Sequence, residues 1–241
     1  MLERLIDHAA LFPPASMSLP EALDEDAQAR ESTYESLIGR FVVPAEKVAD
    51  LPAERPALSV VLSGLDDVRL LEGAEGVEAV ELVLAGPRPL SSDLVAAYSA
   101  LRPLDVETYF ELVFDERWRD SVPAAIGAVA AIGGRVKLRC GGTFFPSIEQ
   151  VGLVVACCRD AGVPFKATAG LHHPVRRGDE HGFLNLLAAA TAPRDRIGEV
   201  LGEEDGAALE VEEDGRQTFV SFGSCSWREP VDGLRELGML Q

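Results

Sequence analysis

Short runs of aliphatic residues alternate along this chain with segments of helical periodicity, and this alternation most limits the fold. Strands are predicted at 38–44, 57–63, 79–85, 108–114, 135–140, 164–169 and 218–222, and helices at 44–51, 66–71, 91–101, 118–132, 147–161 and 181–192. Because each run is almost continuously apolar and is followed by a helix, the pattern indicates a parallel sheet covered on both faces. About seven or eight such units predict an α/β fold of the (β/α)8 TIM-barrel type. A doubly wound open sheet is the alternative.

The length of 241 residues favours one domain, which we predict over residues 1–241. Residues 1–36 are interpreted as a lead-in before the first barrel strand, and residues 193–217 as an insertion before the last strand. The insertion combines an acidic helix with a hairpin turn predicted at 213–216. Ser147 and Gln150 have the spacing of a capping box, which predicts that a helix begins there.

The acidic composition excludes several classes of partner. A formal net charge of −18 argues against binding to nucleic acid or to an anionic membrane surface. No apolar run approaches the roughly 20 residues of a membrane span, and no signal-peptide pattern opens the sequence. Cys140, Cys157, Cys158 and Cys225 form neither a CxxC pair nor a disulfide framework. We therefore expect a cytoplasmic protein.

Lysine is rare in this chain, with three lysines against nineteen arginines. Lys137 and Lys166 lie in apolar, strand-like runs, whereas Lys47 has the surroundings of a surface residue. Arginine neither loses its proton nor forms an imine in a protein, whereas lysine does both once burial or a second cation disfavours its charge. Two lysines on neighbouring barrel strands therefore suggest Schiff-base chemistry. A strand lysine more commonly reaches water or pairs with a carboxylate, and that reading stays open.

Polar residues at the C-terminal ends of the strands are the candidate site residues, because the chemistry of a (β/α)8 barrel lies there. They include Glu81, Glu111, Lys137, Arg139, Lys166, His172, His173 and the run FGSCS at 222–226, which could direct amides and hydroxyls at a phosphate. Asp7 is interpreted either as a salt-linked cap on the barrel or as a site carboxylate. The histidines lack the HxH or HxxxH spacing of metal ligands, so we predict no metal and assign His172 or His173 to substrate recognition or proton transfer.

Five motifs occur in the order and spacing of one enzyme family. They are IDHA at 6–9, RVKLRCG at 135–141, SIEQV at 147–151, FKATAG at 165–170 and FGSCS at 222–226. The family has IDHT, FIKTSTG, TxEDV, VKASGG and FGxSS type sequences at these places. On these motifs the chain resembles the class I deoxyribose-phosphate aldolase family, and the similarity runs from end to end.

The resemblance implies a catalytic role for five residues. Lys137 would form the carbinolamine and the imine. Lys166 would favour the neutral form of that amine, and Asp7 would help to hold Lys166. Glu81 matches the proton-relay aspartate of the family, and Glu111 matches a strand glutamate. No metal or organic cofactor is required.

Substrate-binding residues are expected in the last loop and where the chain departs from the family. Gly223, Ser224 and Ser226 would meet a phosphate. LRC at 138–140 replaces a Thr-Ser-Thr sequence, so Arg139 adds a cation that could recognise an anionic group. The loop after Lys166 gains His172, His173 and a basic stretch at 176–177.

These patterns predict an aldehyde-lyase of the class I aldolase type in carbohydrate metabolism. It would act on a small carbonyl compound or a phosphorylated substrate, with no nucleic-acid or membrane partner, and a homodimer is compatible with this reading. One alternative is an acid–base enzyme such as an isomerase, in which Lys137 and Lys166 bind an anion and His172 or His173 moves the proton. Another is a non-catalytic sugar-phosphate-binding protein.

Overall fold

Eight parallel strands close into a barrel in chain order. The computed structural model describes residues 1–83, 91–142 and 144–240, with only the backbone of residues 91–93. The strands are β1 (Ile6–His8), β2 (Ile38–Pro44), β3 (Leu58–Leu62), β4 (Val77–Val83), β5 (Glu107–Glu111), β6 (Arg135–Arg139), β7 (Phe165–Thr168) and β8 (Phe219–Ser224). The predicted (β/α)8 TIM barrel is confirmed. Residues 84 and 85 of the strand predicted at 79–85 lie outside the described residues.

Helices surround the barrel, but two of the predicted ones have a different form. The α-helices are α1 (Leu19–Glu31), α2 (Ser91–Leu101), α3 (Trp118–Ala131), α4 (Ile148–Ala161), α5 (Phe183–Ala189), α6 (Ile197–Gly202) and α7 (Arg228–Glu236). The helices predicted at 44–51 and 66–71 are instead 3-10 helices, Ala45–Asp50 and Leu65–Leu71. Connections of six and seven residues gain few α-helical hydrogen bonds for the cost of nucleation, which favours the tighter form.

The first barrel strand lies inside the segment predicted to be a lead-in, so that prediction was wrong. β1 pairs with β2, where Ile6 lies opposite Ile38, and with β8, where Asp7 lies opposite Gly223. The strand has only three residues, too few to show an apolar run. Its pairing with both ends of the sheet closes the barrel and brings Asp7 to the interior.

Residues 193–217 form short helices that join the outer layer. Helix α6 packs against α4 and α5, and the Cβ of an alanine at Gly152 would lie 3.4 Å from Ile197. The hairpin turn predicted at 213–216 is wrong, because the 3-10 helix Glu213–Gln217 occupies these residues. The Asp and Gly that suggested a hairpin are equally compatible with a single tight helical turn.

Side chains alternate between the barrel interior and the helical layer. On β6, Val136 and Leu138 are buried in the aliphatic core, whereas Lys137 and Arg139 contact carboxylates of neighbouring strands inside the barrel. The core between sheet and helices is continuous, and the rings of Phe183 and Phe222 stack there with centroids 4.5 Å apart. None of the helices in the described ranges is long and apolar enough to cross a membrane.

The predicted capping box at the start of α4 is confirmed and can be tested by its contribution to stability. The Ser147 hydroxyl accepts a hydrogen bond from the Gln150 amide, and the Gln150 side chain accepts one from the Ser147 amide. We expect Ser147→Ala to lower the free energy of unfolding by about 1 kcal/mol, or Tm by roughly 2–4 °C. Ser99→Ala, in the exposed interior of α2, is the control and should not lower Tm. Equal effects of the two variants in thermal melts would contradict the cap.

Candidate active site

Glu81 on β4 lies between the two interior lysines. Its Oε2 is 2.8 Å from Lys137 Nζ and its Oε1 is 2.5 Å from Lys166 Nζ. The Ser59 hydroxyl donates a further hydrogen bond to Oε1 at 2.7 Å. Lys137 and Lys166 lie directly opposite one another on β6 and β7, so their side chains enter the barrel at the same level. The side chains of Glu81, Lys137 and Lys166 are all buried. The Glu81 carboxylate therefore forms ion pairs with two buried ammonium groups.

A second carboxylate holds Lys166 from the other side. Asp7 Oδ2 is 2.6 Å from Lys166 Nζ and accepts a hydrogen bond from the Ser221 hydroxyl at 2.9 Å, while Oδ1 accepts one from the Arg40 amide. Burial of Lys166 disfavours its charge, but Asp7 and Glu81 outweigh burial and raise the pKa of Lys166 above its ordinary value. The expectation that burial and proximity would make Lys166 easier to deprotonate was therefore wrong. The physical reason is that the ion pairs with Asp7 and Glu81 stabilise the charged form of Lys166 more than burial destabilises it.

Glu111 gives Lys137 its second carboxylate. Glu111 Oε2 is 3.0 Å from Lys137 Nζ, and Arg139 Nε donates a hydrogen bond to Oε1 at 2.9 Å. Burial raises the pKa of Glu111, but Lys137 and Arg139 outweigh it and lower that pKa below its usual range. Burial likewise raises the pKa of Glu81, and the attraction of Lys137 and Lys166 lowers it well below its usual range. Lys137 thus lies between two ionised groups that could accept its proton.

A cavity of about 610 Å³ opens above these charges at the C-terminal ends of the strands. Lys137, Lys166 and Glu81 line its floor. Four of the predicted substrate-binding residues line its walls, namely Arg139, His172, Gly223 and Ser224. A cavity of this size suits a small molecule, and its position matches the usual site of chemistry in this fold.

The other two predicted substrate-binding residues are not among the described residues that line the cavity. His173 Nε2 lies 3.5 Å from a carboxylate oxygen of Glu180, and the Ser226 carbonyl accepts a hydrogen bond from the Ser224 hydroxyl at 2.6 Å. The Ser224 hydroxyl is therefore engaged inside its own turn. Substrate binding by His173 and Ser226 stays a prediction.

The remaining histidines have local partners. His172 Nδ1 lies 2.9 Å from a carboxylate oxygen of Glu229, and His181 Nε2 lies 2.7 Å from the Pro146 carbonyl. Burial lowers the pKa of His181, which favours its neutral form. Within the ranges 1–83, 91–142 and 144–240, no three His, Cys, Asp or Glu side chains are grouped so that they could hold a metal ion.

Two glycines bring the loops after β6 and β7 together at the cavity. A Cβ on Gly141 would lie 2.7 Å from the Gly170 Cα, and Gly170 itself has a φ of 69°. Only glycine avoids both the collision and the strain of that positive φ. These glycines therefore let the loops that follow Lys137 and Lys166 approach each other, and Gly170 also lines the cavity.

Sequence reasoning missed several uncharged residues of the site. Ser59 and Ser221 hold the carboxylates of Glu81 and Asp7, and Val42 and Val61 line the cavity. Strands buried on both faces read as continuous apolar runs, so alternation does not show which side chains face the interior. Because side chains alternate along a strand, residues two positions away from Lys137 and Lys166 could have been assigned to the barrel interior. This signal exists on β6 and β7 only.

Solved structures with the same fold include aldolases. The deoxyribose phosphate aldolase from Aeropyrum pernix, described as having a unique tetrameric structure, aligns with a TM-score of 0.60 at 12% sequence identity, covering 98% of this chain and 92% of its own. A second structure, "QR15, an Aldolase", aligns with a TM-score of 0.57 at 15% identity, covering 100% of this chain and 99% of its own. No family model matches the chain, and no curated protein matches it in sequence. The resemblance predicted from the motifs is thus confirmed at the level of the fold.

The bridging role of Glu81 predicts how stability responds to acid. Because its pKa in the folded protein is below its ordinary value of 4.5, the ionised carboxylate contributes stability at neutral pH, and this contribution is lost as pH falls below that value. We expect Glu81→Gln to lower the free energy of unfolding at pH 7 by about 3–5 kcal/mol, because two buried ammonium groups lose their shared partner. Its further loss of stability between pH 6 and pH 3 should be shallower than in the wild type.

Urea midpoints measured across this pH range test the prediction. Glu46→Gln is the matched control, because Glu46 is an exposed glutamate of a 3-10 helix. It should follow the wild-type profile. If Glu81→Gln also ran parallel to the wild type, Glu81 would not be the ionised bridge between the lysines.

Proposed function

We propose that this protein is a class I aldolase-like lyase in which Lys137 forms an imine with a small carbonyl substrate. The observation that supports the proposal is the buried pair of lysines bridged by Glu81 at the floor of an open cavity. Lys137 is 4% exposed and lines that cavity, so its amine has access to a ligand while its charge partners stay buried. Buried, coupled titratable groups of this kind are typical of functional sites.

The first step needs a neutral amine. A proton would pass from the Lys137 ammonium to Glu111 or Glu81, whose oxygens lie 3.0 Å and 2.8 Å away. The Nζ lone pair would then attack the carbonyl carbon while the carbonyl oxygen takes up a proton, giving a carbinolamine. Loss of that oxygen as water leaves a protonated imine on Lys137.

The imine serves as the electron sink for the second step. A carboxylate, for which Glu81 is the candidate, would remove the proton of the hydroxyl on the β-carbon. The electron pair of the C–C bond between the α- and β-carbons would flow into the iminium, releasing an aldehyde or ketone and leaving an enamine. Protonation of the enamine carbon and hydrolysis of the imine by water return Lys137 and the second product.

Lys166 would act through charge rather than as the nucleophile. Asp7 and Glu81 raise its pKa, so it remains an ammonium group at neutral pH. This fixed positive charge also stabilises the ionised form of Glu81, which it contacts at 2.5 Å. Arg139, 42% exposed at the cavity wall, is the candidate for contacting an anionic group of the substrate.

A second candidate function is acid–base catalysis without an imine. The two ion pairs of Lys137 favour this function, because they are typical of a charged lysine, and a charged lysine can bind an anion. Lys137→Arg separates the two functions, because arginine keeps the charge and the ion pairs but forms no imine. Turnover should be lost in the aldolase and partly retained in the acid–base enzyme.

Borohydride trapping tests the imine directly. The protein is incubated with a panel of small aldehydes, ketones and sugar phosphates, reduced, and analysed by intact and peptide mass spectrometry. We expect one reduced adduct on the Lys137 peptide, retained in Lys47→Arg, in which the lysine outside the barrel is replaced, and absent in Lys137→Arg. Labelling of Lys166 or Lys47 instead, or no adduct on folded protein with any carbonyl compound, would overturn the proposal.

A further inference from the structure

The cavity above the lysines has a polar side and an apolar side. The polar side comes from the second half of the barrel, where Lys137, Arg139, Lys166 and Thr168 line it. On the other side, β2, β3 and β4 present Val42, Val61 and Val83 at consecutive positions around the rim, and the loop after β1 adds Phe12, Pro13 and Pro14. We call these six residues the apolar wall.

The order of the strands places this wall across the cavity from the nucleophile. In a closed barrel of eight strands numbered in chain order, β2 lies opposite β6. A substrate bonded to Lys137 on β6 would therefore extend across the cavity toward Val42, with Val61 beside it on β3. Glu81 is the polar lining residue of β4, and it lies at the floor in contact with both lysines.

We infer that the carbonyl substrate carries a hydrocarbon arm rather than a chain of hydroxyl groups. This inference rests on the proposed function and names the substrate class of the same site. Apart from Glu81, no lining side chain of β2, β3 or β4 in the described part of the chain offers a hydrogen bond. Hydroxyl groups held against the apolar wall would lose water without gaining a partner, which weakens binding by about tenfold for each group.

A hydrocarbon arm gains from the same surface. Burial of one methylene group against apolar side chains strengthens binding by about fourfold. Val83 is 38% exposed in the unliganded protein, so it has apolar surface to cover. The polar groups of the substrate would lie at its reacting end. There Lys137 would bond to the carbonyl carbon, and Glu81 would accept the hydroxyl proton.

Matched aldehydes can measure this preference at Lys137. Propanal, butanal and pentanal form an aliphatic series, and glyceraldehyde and erythrose are the hydroxylated counterparts with three and four carbons. The readout is the aldehyde concentration that gives half-maximal reduced labelling of the Lys137 peptide with cyanoborohydride. We expect this concentration to fall about threefold to fourfold per methylene, and to be lower for butanal than for erythrose.

Isosteric variants remove the intrinsic differences between the aldehydes, such as hydration and ring closure. Val42→Thr and Val61→Thr each add one hydroxyl to the apolar wall at nearly constant volume. We expect the butanal-to-erythrose preference to shrink about fivefold or more in these variants relative to the wild type. Val95→Thr, at an exposed position of α2, is the matched control and should leave the ratio unchanged. Thermal melts of each variant establish that it is folded.

The outcomes separate this inference from the proposed function. Labelling of Lys137 at lower concentrations of erythrose than of butanal would overturn the hydrocarbon arm and leave the imine standing. An unchanged ratio in folded Val42→Thr and Val61→Thr would also overturn it, because the arm would not contact the wall. No labelling by any aldehyde would overturn the imine itself, and with it the inference.

Discussion

The ion pairs of Glu81 with Lys137 and Lys166 are the interaction on which the interior of this barrel depends. Charges buried in a medium of low dielectric constant must compensate one another, and here three carboxylates face two buried lysines and the partly exposed Arg139. Asp7, Glu81 and Glu111 face Lys137, Lys166 and Arg139 in a continuous chain of contacts. Glu81 is the central member, because among the carboxylates that the structure describes it alone forms ion pairs with both lysines.

Such a network is a poor way to gain stability, and this supports a chemical role. Well-packed aliphatic side chains in place of buried ion pairs commonly leave a protein as stable or more so. Further ion pairs lie deeper in the barrel, where Arg40 and Arg135 both contact Glu107. The Tyr109 hydroxyl donates a hydrogen bond to the same Glu107 carboxylate. Burial raises the pKa of Tyr109 to about 12, so it stays neutral beneath Lys166.

The cavity joins this charged floor to an apolar wall, and the two parts have different tasks. In the proposed function, the floor would carry the reaction, because a ligand would meet an amine and carboxylates there. The wall would select among ligands, because Val42, Val61 and Val83 are apolar and would favour hydrocarbon over hydroxyl groups. Arg139 lines the polar side of the cavity and is held by Glu111, at a position where the family that the chain resembles has small hydroxyl residues.

The sequence by itself determined the architecture, because that information is local. The alternation of aliphatic runs with helical segments predicted β2 at 38–44 and α2 at 91–101 with the bounds observed, and the scarcity of lysine pointed to Lys137 and Lys166. Tertiary structure alone decided that β1 closes the barrel and which strand faces point inward. It also set the geometry of the contact that the resemblance had implied, in which Asp7 meets Lys166 across 159 positions of chain. Such contacts depend on register and closure between distant strands, and no local pattern encodes them.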